Sequence, residues 1–353
     1  MDVERKAFAS LTLAERAAWR DIQRSNPALG SPYFRLEDAE ALARVRREAE
    51  VLVARRDGEI AGFLAIQSGG FSARPLGGDL SDLHGVVARP GSGLCFEPLA
   101  RAGGLALFSF SGVPQGEGVL SREAACLETF HQIDLSAGAG AWHGAVRKKS
   151  SSLKRLNAKR NKLARAFGEI EIALDSVCEA SFDQLWAWKS RQYRESGHRD
   201  LAREVWFRDL MEDFFSRRDR EFRGVLSTLS CGGRPIAAHF GIMADGVLHY
   251  WFPAYDPLAH RFSPGLLLLE TVALRHRELG IGRIDLGPGD FRYKLEFANA
   301  GMQIGSGLAG AGPVRSAVRR LAALERRLAA APLGALASVP RRAVLKLDRM
   351  MAA

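Results

Sequence analysis

Several polar side chains lie in segments that otherwise resemble apolar strands, and their types suit proton transfer. Asp82 and His84 alternate with Leu83 in the segment SDLHG, so in a strand both would project to one face. A carboxylate beside an imidazole orients the ring and raises its basicity. The spacing therefore predicts an acid–base pair, and the alternative is a turn that carries two solvated polar residues.

A single histidine, His239, interrupts the apolar segment IAAHFGI. A buried polar group must find a hydrogen-bond partner, so this residue is either a satisfied core histidine or a base that faces a cleft. In the following segment, His249 and Tyr250 would project to opposite faces of a strand, so one of them could face the same cleft.

The tripeptide Ser263-Pro264-Gly265 precedes a predicted helix over residues 264–279. Proline suits the first helical turn, and Ser263 can cap the helix through its hydroxyl. A helix N-terminus with Arg261 beside it is a ready anion site. The alternative is an ordinary capped helix.

A glycine turn, Gly287-Pro288-Gly289, follows a short strand predicted over residues 284–286. Such a turn lets a ligand approach the backbone closely. Asp290, Tyr293 and Lys294 come directly after it, and Lys294 could pair with a phosphate or a carboxylate. The alternative is a helix start with exposed charges.

The composition is that of a globular protein, with 353 residues of which 47% are hydrophobic and 25% charged. It excludes disorder, collagen and coiled coil, and the length allows two domains. The four cysteines have no paired spacing, and the sequence shows neither a signal peptide nor a membrane span. We therefore expect a cytoplasmic protein, either free or on the inner face of the membrane, with no metal.

The net charge of +10 is concentrated in two segments. Residues 146–167 contain nine basic and no acidic residues, on a predicted helix over 142–167 with an apolar stripe. Its charged face is either solvated or a contact for phosphates or tRNA. Residues 313–350 predict two basic amphipathic helices, which either pack on the body or lie on anionic lipid.

Two strand-turn-strand segments are similar and suggest an internal duplication of one α/β unit. The first covers residues 51–67 around Asp57-Gly58, and the second covers residues 224–243. A helix is predicted between them over residues 121–130.

Motifs spread along the chain resemble the GNAT-type acyltransferases of the CelD/BcsL family, which is related to the FemABX peptidyltransferases. In the C-terminal half these are GGRPIAAHFGI, LHYWFPAYDP, SPGLLLLE and DLGPGDFRYKLEF; in the N-terminal half they are NPALGSPYFRLEDAEALARVR and PLGGDLSDLHGVV. The resemblance implies an α/β (α+β) fold of tandem GNAT-like domains, each a mixed, mostly antiparallel sheet flanked by helices. The expected ranges are 1–135 and 171–312 for the domains, 136–170 for the basic connecting helix and 313–353 for the tail.

The resemblance also implies transfer of an acyl group, usually acetyl, from acyl-CoA to an amino sugar of a cell-envelope or exopolysaccharide precursor. Arg261, Ser263 and Gly265 would bind the acyl-CoA, although HRFSPG keeps only Arg261 and Gly265 of the usual GNAT phosphate loop. Lys294 would bind the substrate, which could be a sugar nucleotide, a lipid-linked glycan or a polysaccharide precursor. Acyl transfer needs groups that move protons, and the candidates, in a cleft between the two halves, are Asp82, His84, His239, Tyr255, Asp290 and Tyr293.

Two other functions stay open at this stage. A FemABX-like enzyme would take an aminoacyl group from tRNA and would use the basic helix to contact the RNA. A non-catalytic member would use the basic tail to join a membrane-bound polysaccharide synthase.

Overall fold

The computed structural model describes residues 1–46, 48–69, 72–116 and 118–311, and beyond them only 316, 317, 320, 323 and 324. The chain folds into two compact units: unit 1 is Met1–Thr129 together with the segment that starts at Met302, and unit 2 is Phe130–Gly301. The predicted domain ranges themselves stay a prediction. No described helix is both long enough and apolar enough to cross a membrane.

The described part of the chain contains thirteen strands and ten α-helices. In chain order they are β1 (Asp2–Ala7), α1 (Leu13–Ser25), α2 (Leu36–Val45), β2 (Ala49–Arg56), β3 (Glu59–Gly69), β4 (Ser72–Pro75), β5 (Val87–Ala88), α3 (Phe96–Ala102), β6 (Leu107–Pro114), β7 (Cys126–Asp134), α4 (Ala139–Lys149), α5 (Ser151–Phe167), β8 (Ile170–Ala173), α6 (Glu179–Glu195), α7 (Val205–Ser216), β9 (Phe222–Cys231), β10 (Arg234–Ala244), β11 (Val247–Tyr255), α8 (Pro264–Leu274), α9 (His276–Leu279), β12 (Arg283–Pro288), α10 (Arg292–Phe297) and β13 (Ala300–Gly310).

The sheet of unit 1 has the strand order β1-β2-β3-β4-β6-β13, with β5 added beside β3. Its neighbours are antiparallel except β4 and β6, which pair in parallel at Ser72↔Leu107 and Ala73↔Phe108. The predicted first hairpin is β2–β3, which turns at Asp57-Gly58 with positive φ at both residues.

The sheet of unit 2 has the order β8-β9-β10-β11-β12-β7 and repeats the pattern of unit 1. Every pair is antiparallel except β11 and β12, which are parallel. The second predicted hairpin is β9–β10. The predicted duplication into two mostly antiparallel α/β units is therefore confirmed.

The last strand in the order of each sheet does not come from the chain segment that supplies the other strands of that sheet. β7 follows β6 in sequence, yet from Phe130 onward it pairs with β12 in unit 2. β13 follows unit 2, yet it pairs with β6 in unit 1 from Ile304 onward. The two units have exchanged equivalent strands.

Helices cover both faces of the sheet in unit 2. The aromatic side chains of α6 and α7 pack on Phe240 and Phe252 of the two central strands. Residues of α4, α5 and α8 form a second apolar cluster with Leu248 and Tyr250, which point the other way. The central strands β10 and β11 are therefore buried on both faces.

Three predicted helices differ from the structure. The helix over 264–279 is broken at Arg275, which separates α8 from α9. Residues 121–130 are not a helix, because a 3-10 turn at Ser121–Glu123 leads directly into strand β7. The helix over 142–167 is broken at Ser150, which ends α4 and caps α5 through a hydrogen bond from Leu153 N–H. Its predicted apolar stripe is confirmed, since Val146, Leu153, Leu156 and Leu163 are buried. The two predicted tail helices lie outside the described residues, apart from isolated positions.

Candidate functional site

The parallel strands β11 and β12 of unit 2 pair over three residues only. The register joins Val247–His249 to residues 283–285 and ends at His249 and Asp285. Both strands continue, β11 to Tyr255 and β12 to Pro288. Beyond His249, no strand among the described residues pairs with the edge of β11 that faces β12, so this edge is open to backbone hydrogen bonds from a ligand. We call this opening the fork.

Irregularities in the neighbouring ladders occur at the same level. In the β10–β11 pairing, Tyr250 and Trp251 both lie opposite Gly241, which is a β-bulge. A side chain at Gly241 could not be accommodated, because a Cβ atom there would lie 2.0 Å from the carbonyl oxygen of His249. In the β12–β7 pairing, the register shifts between Asp285 and Gly287. Bulges commonly re-aim side chains beside functional sites.

A buried polar cluster extends across β9, β10 and β11, just past the point where the β11–β12 pairing ends. The imidazole of His239 stacks on the ring of Tyr250, and His239 is opposite Ser227 in β9. All three side chains are buried, and their polar atoms have no hydrogen-bond partner among the described residues. Buried polar groups without partners are rare and call for an explanation such as catalysis or a bound group.

Burial fixes the ionisation of this cluster. It lowers the pKa of His239 well below its ordinary value, and His249 lowers this pKa further. It raises the pKa of the Tyr250 hydroxyl well above its ordinary value, with a smaller contribution from Tyr293. At neutral pH the histidine is therefore an uncharged base and the tyrosine an uncharged acid.

The predicted residues after the glycine turn lie on α10 and the loop before it. Tyr293 packs against the same apolar cluster that contains Tyr250. Lys294 is buried, and its ammonium donates a hydrogen bond to the carbonyl oxygen of Pro288 at 2.6 Å. That contact holds α10 to the end of β12, so Lys294 has a structural role. Its role in substrate binding stays a prediction.

Asp290 meets a histidine that the sequence analysis did not single out. Its carboxylate lies 2.9 Å from Nε2 of His131 on β7, with the carboxylate exposed and the imidazole buried. His131 is paired with Gly287 at the end of β12. Nearby, the fully buried Asp285 accepts hydrogen bonds from Arg283 and Gln132 at 2.8 and 2.9 Å. An Asp–His pair therefore lies at the end of β12, the second strand of the fork.

The N-terminus of α8 follows β11 after one 3-10 turn. Pro264 occupies its first turn as predicted, but Ser263 adopts φ 53°, ψ 53° and makes no side-chain cap. Instead its hydroxyl accepts a hydrogen bond from the Lys159 ammonium of α5 at 2.5 Å. Arg261 is exposed beside it, with its guanidinium 4.7 Å from the Phe262 ring centroid. Two cations therefore flank an uncapped helix N-terminus.

Tyr255 ends β11 and is partly exposed. Its hydroxyl lies 3.0 Å from Nδ1 of His260, in the turn that leads to α8. A Cβ atom on Gly265 would lie 3.6 Å from the Tyr255 ring, so this ring packs close to the first turn of α8. The predicted residues Tyr255, Arg261, Ser263 and Gly265 are thus close together in unit 2.

Asp82 and His84 belong to unit 1 and do not lie in a strand. They follow a 3-10 turn at Gly78–Leu80 and precede β5, so the expected strand alternation is wrong. His84 is held by Gly112, whose carbonyl oxygen accepts its backbone N–H, and by Ser111, whose carbonyl oxygen lies 2.8 Å from its Nδ1. Burial lowers the pKa of His84. Their catalytic roles, and the cleft that would join them to unit 2, stay predictions.

The sequence matches one family model, the acetyltransferase (GNAT) domain, over residues 150–295. These residues lie in unit 2 and include the fork, α8 and the buried polar cluster. The chain matches no curated protein. Residues 150–295 of unit 2 are therefore similar to a GNAT acetyltransferase domain.

Three of the solved structures that this chain resembles each cover more than four fifths of it. FemX has a TM-score of 0.58 and 10% identity, covering 86% of this chain and 95% of its own. A conserved protein of unknown function from Bacteroides thetaiotaomicron has a TM-score of 0.52 and 12% identity, covering 86% and 99%. The C-terminal domain of a putative lysylphosphatidylglycerol synthetase from Agrobacterium fabrum has a TM-score of 0.50 and 15% identity, covering 84% and 92%. At these identities the similarity shows the fold alone.

Proposed function

We propose that unit 2 transfers an acyl group from acyl-CoA to the amino group of a sugar in a cell-envelope or exopolysaccharide precursor. The observation that carries this proposal is the fork, where β11 and β12 separate beyond His249 and Asp285. An extended chain that contains amide groups can hydrogen-bond to a free strand edge as a further strand would. The amide-containing arm of acyl-CoA fits that description.

The phosphates of acyl-CoA would bind at the N-terminus of α8. Backbone N–H groups and the helix dipole favour anions there. Lys159 and Arg261 add two positive charges, and the cap position is left without a side-chain cap. These residues fit an anion although the segment HRFSPG keeps only Arg261 and Gly265 of the usual GNAT phosphate loop.

Acyl transfer to an amine requires an uncharged nucleophile and a proton donor for the departing thiolate. His239 is an uncharged base at neutral pH, and its ring nitrogens have no other partner in the described chain. Tyr250 keeps its proton and can donate it, and Tyr293 lies near it. At the end of β12, the exposed Asp290 carboxylate and His131 can pass the amine proton to solvent.

The proposed acceptor is an amino sugar of a cell-envelope or exopolysaccharide precursor. A sugar nucleotide, a lipid-linked glycan or a polysaccharide precursor would each supply the amino group. The resemblance to the CelD/BcsL family supports this class of acceptor, as it supports a place in the cytoplasm or on the inner face of the membrane. Contact with the membrane would involve the tail, which lies outside the described residues.

Calorimetric titration with acetyl-CoA, a longer acyl-CoA and free CoA tests the donor. We expect saturable binding of all three, and Lys159→Met should weaken it about tenfold, because one charged contact to a phosphate is lost. Lys162→Met is the matched control, since Lys162 is exposed one turn further along α5. Absence of binding by the wild-type protein would refute the proposal.

A second candidate function is transfer of an aminoacyl group from tRNA. The favouring observation is the surface of α5, where Lys154, Arg155, Lys162 and Arg165 are exposed. Backbone contacts to RNA make affinity fall steeply with salt. Binding of aminoacyl-tRNA that is steeply salt-dependent and lost in Arg155→Gln/Arg165→Gln, without binding of acyl-CoA, would favour this candidate.

A further inference from the structure

Helix α6 carries a buried lysine outside the cluster described above. Lys189 is 8% exposed, and its ammonium donates a hydrogen bond to Oε1 of Gln192 at 3.1 Å. It lies 5.3 Å from the ring centroid of Tyr193 and 5.9 Å from that of Phe252. It forms no ion pair with any described residue, and burial lowers its pKa to about 8.

One turn earlier on the same helix face, Trp186 presents a second unsatisfied donor. Its ring centroid lies 5.1 Å from that of Phe252 and 5.2 Å from that of Phe207, so the indole is wedged between α7 and β11. Its Nε1 is buried and has no hydrogen-bond acceptor among the described residues. Lys189 and Trp186 thus both contact the ring of Phe252 with a donor that lacks a strong acceptor.

A buried cation without a counter-ion and a buried N–H without an acceptor are both costly. One carboxylate would satisfy both, because its two oxygens accept several hydrogen bonds. The Gln192 amide oxygen now accepts the ammonium proton, and it comes from an exposed residue that can swing away. A carboxylate in its place would be a stronger acceptor.

Trp186 and Lys189 pack on the part of β11 that borders the fork. Phe252 lies on β11 three residues beyond His249, where pairing with β12 ends, and its side chain faces α6 and α7. His239 and Tyr250 face the other side, toward α8. A donor bound along α8 and an acceptor bound along α6 would therefore reach the same strand from opposite faces.

We propose that Trp186 and Lys189 form a subsite for a carboxylate on the acceptor, so that the acceptor is an acidic amino compound. This rests on the proposed function, since it names the class of its acceptor. The aromatic walls favour a carboxylate over a phosphate, because a singly charged, delocalised anion loses less hydration energy on entering an apolar site than a dianion does.

The first test uses the indole N–H resonances of the full-length protein, which has six tryptophans. Loss of one signal in Trp186→Phe assigns the Trp186 resonance. We expect acetate to shift it in a saturable way and Lys189→Met to abolish the shift. Lys148→Met, a change at an exposed position of α4, should preserve it. No shift with acetate, a shift with phosphate alone, or a shift that persists in Lys189→Met would overturn the proposal.

The second test compares acceptors in the presence of acetyl-CoA. Glucosamine and its C6 carboxylic acid differ by the carboxylate alone. We expect the acid to have at least a tenfold lower KM, and Lys189→Met to remove that preference without changing the KM for glucosamine. Equal KM values for the wild-type protein, or acetylation of Lys189 itself, would contradict the subsite. The acetate test needs no acyl-CoA, so a failure of the proposed function and a failure of the subsite are distinguishable.

Discussion

The imidazole of His239 lies flat on the phenol ring of Tyr250, with the ring centroids 3.6 Å apart and the planes within 1°. The two residues sit on adjacent strands, where the β11 bulge re-aims the tyrosine. The stack fixes both rings, while no hydrogen bond to a described residue fixes their polar atoms. A base and an acid are therefore held in place by packing and remain free to bond a ligand.

Replacing His239 separates its packing from its chemistry. His239→Phe keeps the stacked ring and removes two buried nitrogens without partners, so stability should be equal or higher. Turnover should fall at least ~100-fold, because a general base is lost. His239→Ala should lose turnover and also stability, because the cavity left by the ring costs about 2–4 kcal/mol. Steady-state kinetics and urea unfolding measure the two effects, and wild-type turnover in His239→Phe would rule out the role of base.

The Asp290 carboxylate should matter for rate and little for stability. Asp290→Asn removes the charge beside His131 at an exposed position, where substitutions change stability by less than about 0.5 kcal/mol. We expect a tenfold or larger fall in kcat with an unchanged Kd for acyl-CoA. Asp245→Asn, at the tip of the β10–β11 hairpin, is the control. A kcat equal to that of the wild type would exclude the pair from proton transfer.

Lys189 should make the protein less stable at neutral pH than a neutral residue of similar size would. Burial lowers its pKa from 10.5 to about 8, which corresponds to ~3 kcal/mol. Between pH 8 and 10.5 the unfolded chain binds more protons at this site than the folded one, so its contribution to stability improves as the pH rises.

The Lys189→Met variant tests this linkage by urea unfolding. It should be more stable than the wild type by up to ~3 kcal/mol at pH 7, and the gain should shrink as the pH rises from 8 to about 10. Lys148→Met should show no such pH dependence. An equal gain in stability at pH 7 and at about pH 10 would contradict the buried-charge explanation.

The bulge at the fork should be intolerant of any side chain at Gly241. A Cβ there would lie 2.0 Å from the His249 carbonyl oxygen and 2.9 Å from His239 Nε2. We expect Gly241→Ala to cost at least ~2 kcal/mol and to weaken acyl-CoA binding, because β11 must shift. Gly144→Ala on α4 meets nothing within 4 Å and should be neutral or stabilising. Equal stability of the two variants would show that the bulge relaxes easily.

Much of the fold could be predicted because local signals agreed with it. Asp57-Gly58 marks the β2–β3 turn, and the apolar stripe of α5 faces the core. The segment 121–130 was predicted wrongly because Glu and Ala favour helix locally, whereas the segment leads into strand β7, which begins at Cys126 and pairs with β12 from Phe130 onward. The same tertiary effect explains Asp82 and His84, since contacts with Gly112 hold their loop.

The site could be predicted only in part because its partners are distant in sequence. His131 and Asp290 are 159 residues apart, and Lys159 and Ser263 are 104 apart. Nothing in their spacing connects them. For Lys189 a signal was present, since Trp186, Lys189 and Tyr193 recur at helical spacing and place a charge on an apolar face.

The exchange of β7 and β13 determines the order in which the two sheets can be completed during synthesis of the chain. Residues 130–301 are contiguous, so unit 2 has its complete sheet as soon as they have left the ribosome. Unit 1 begins first and finishes last, because β6 keeps an unpaired edge until β13 is made. A bare strand edge invites pairing with other chains. A nascent or truncated chain that stops before Met302 therefore exposes the edge of β6 in unit 1. Among the described strands, only β13 protects this edge from pairing with other chains.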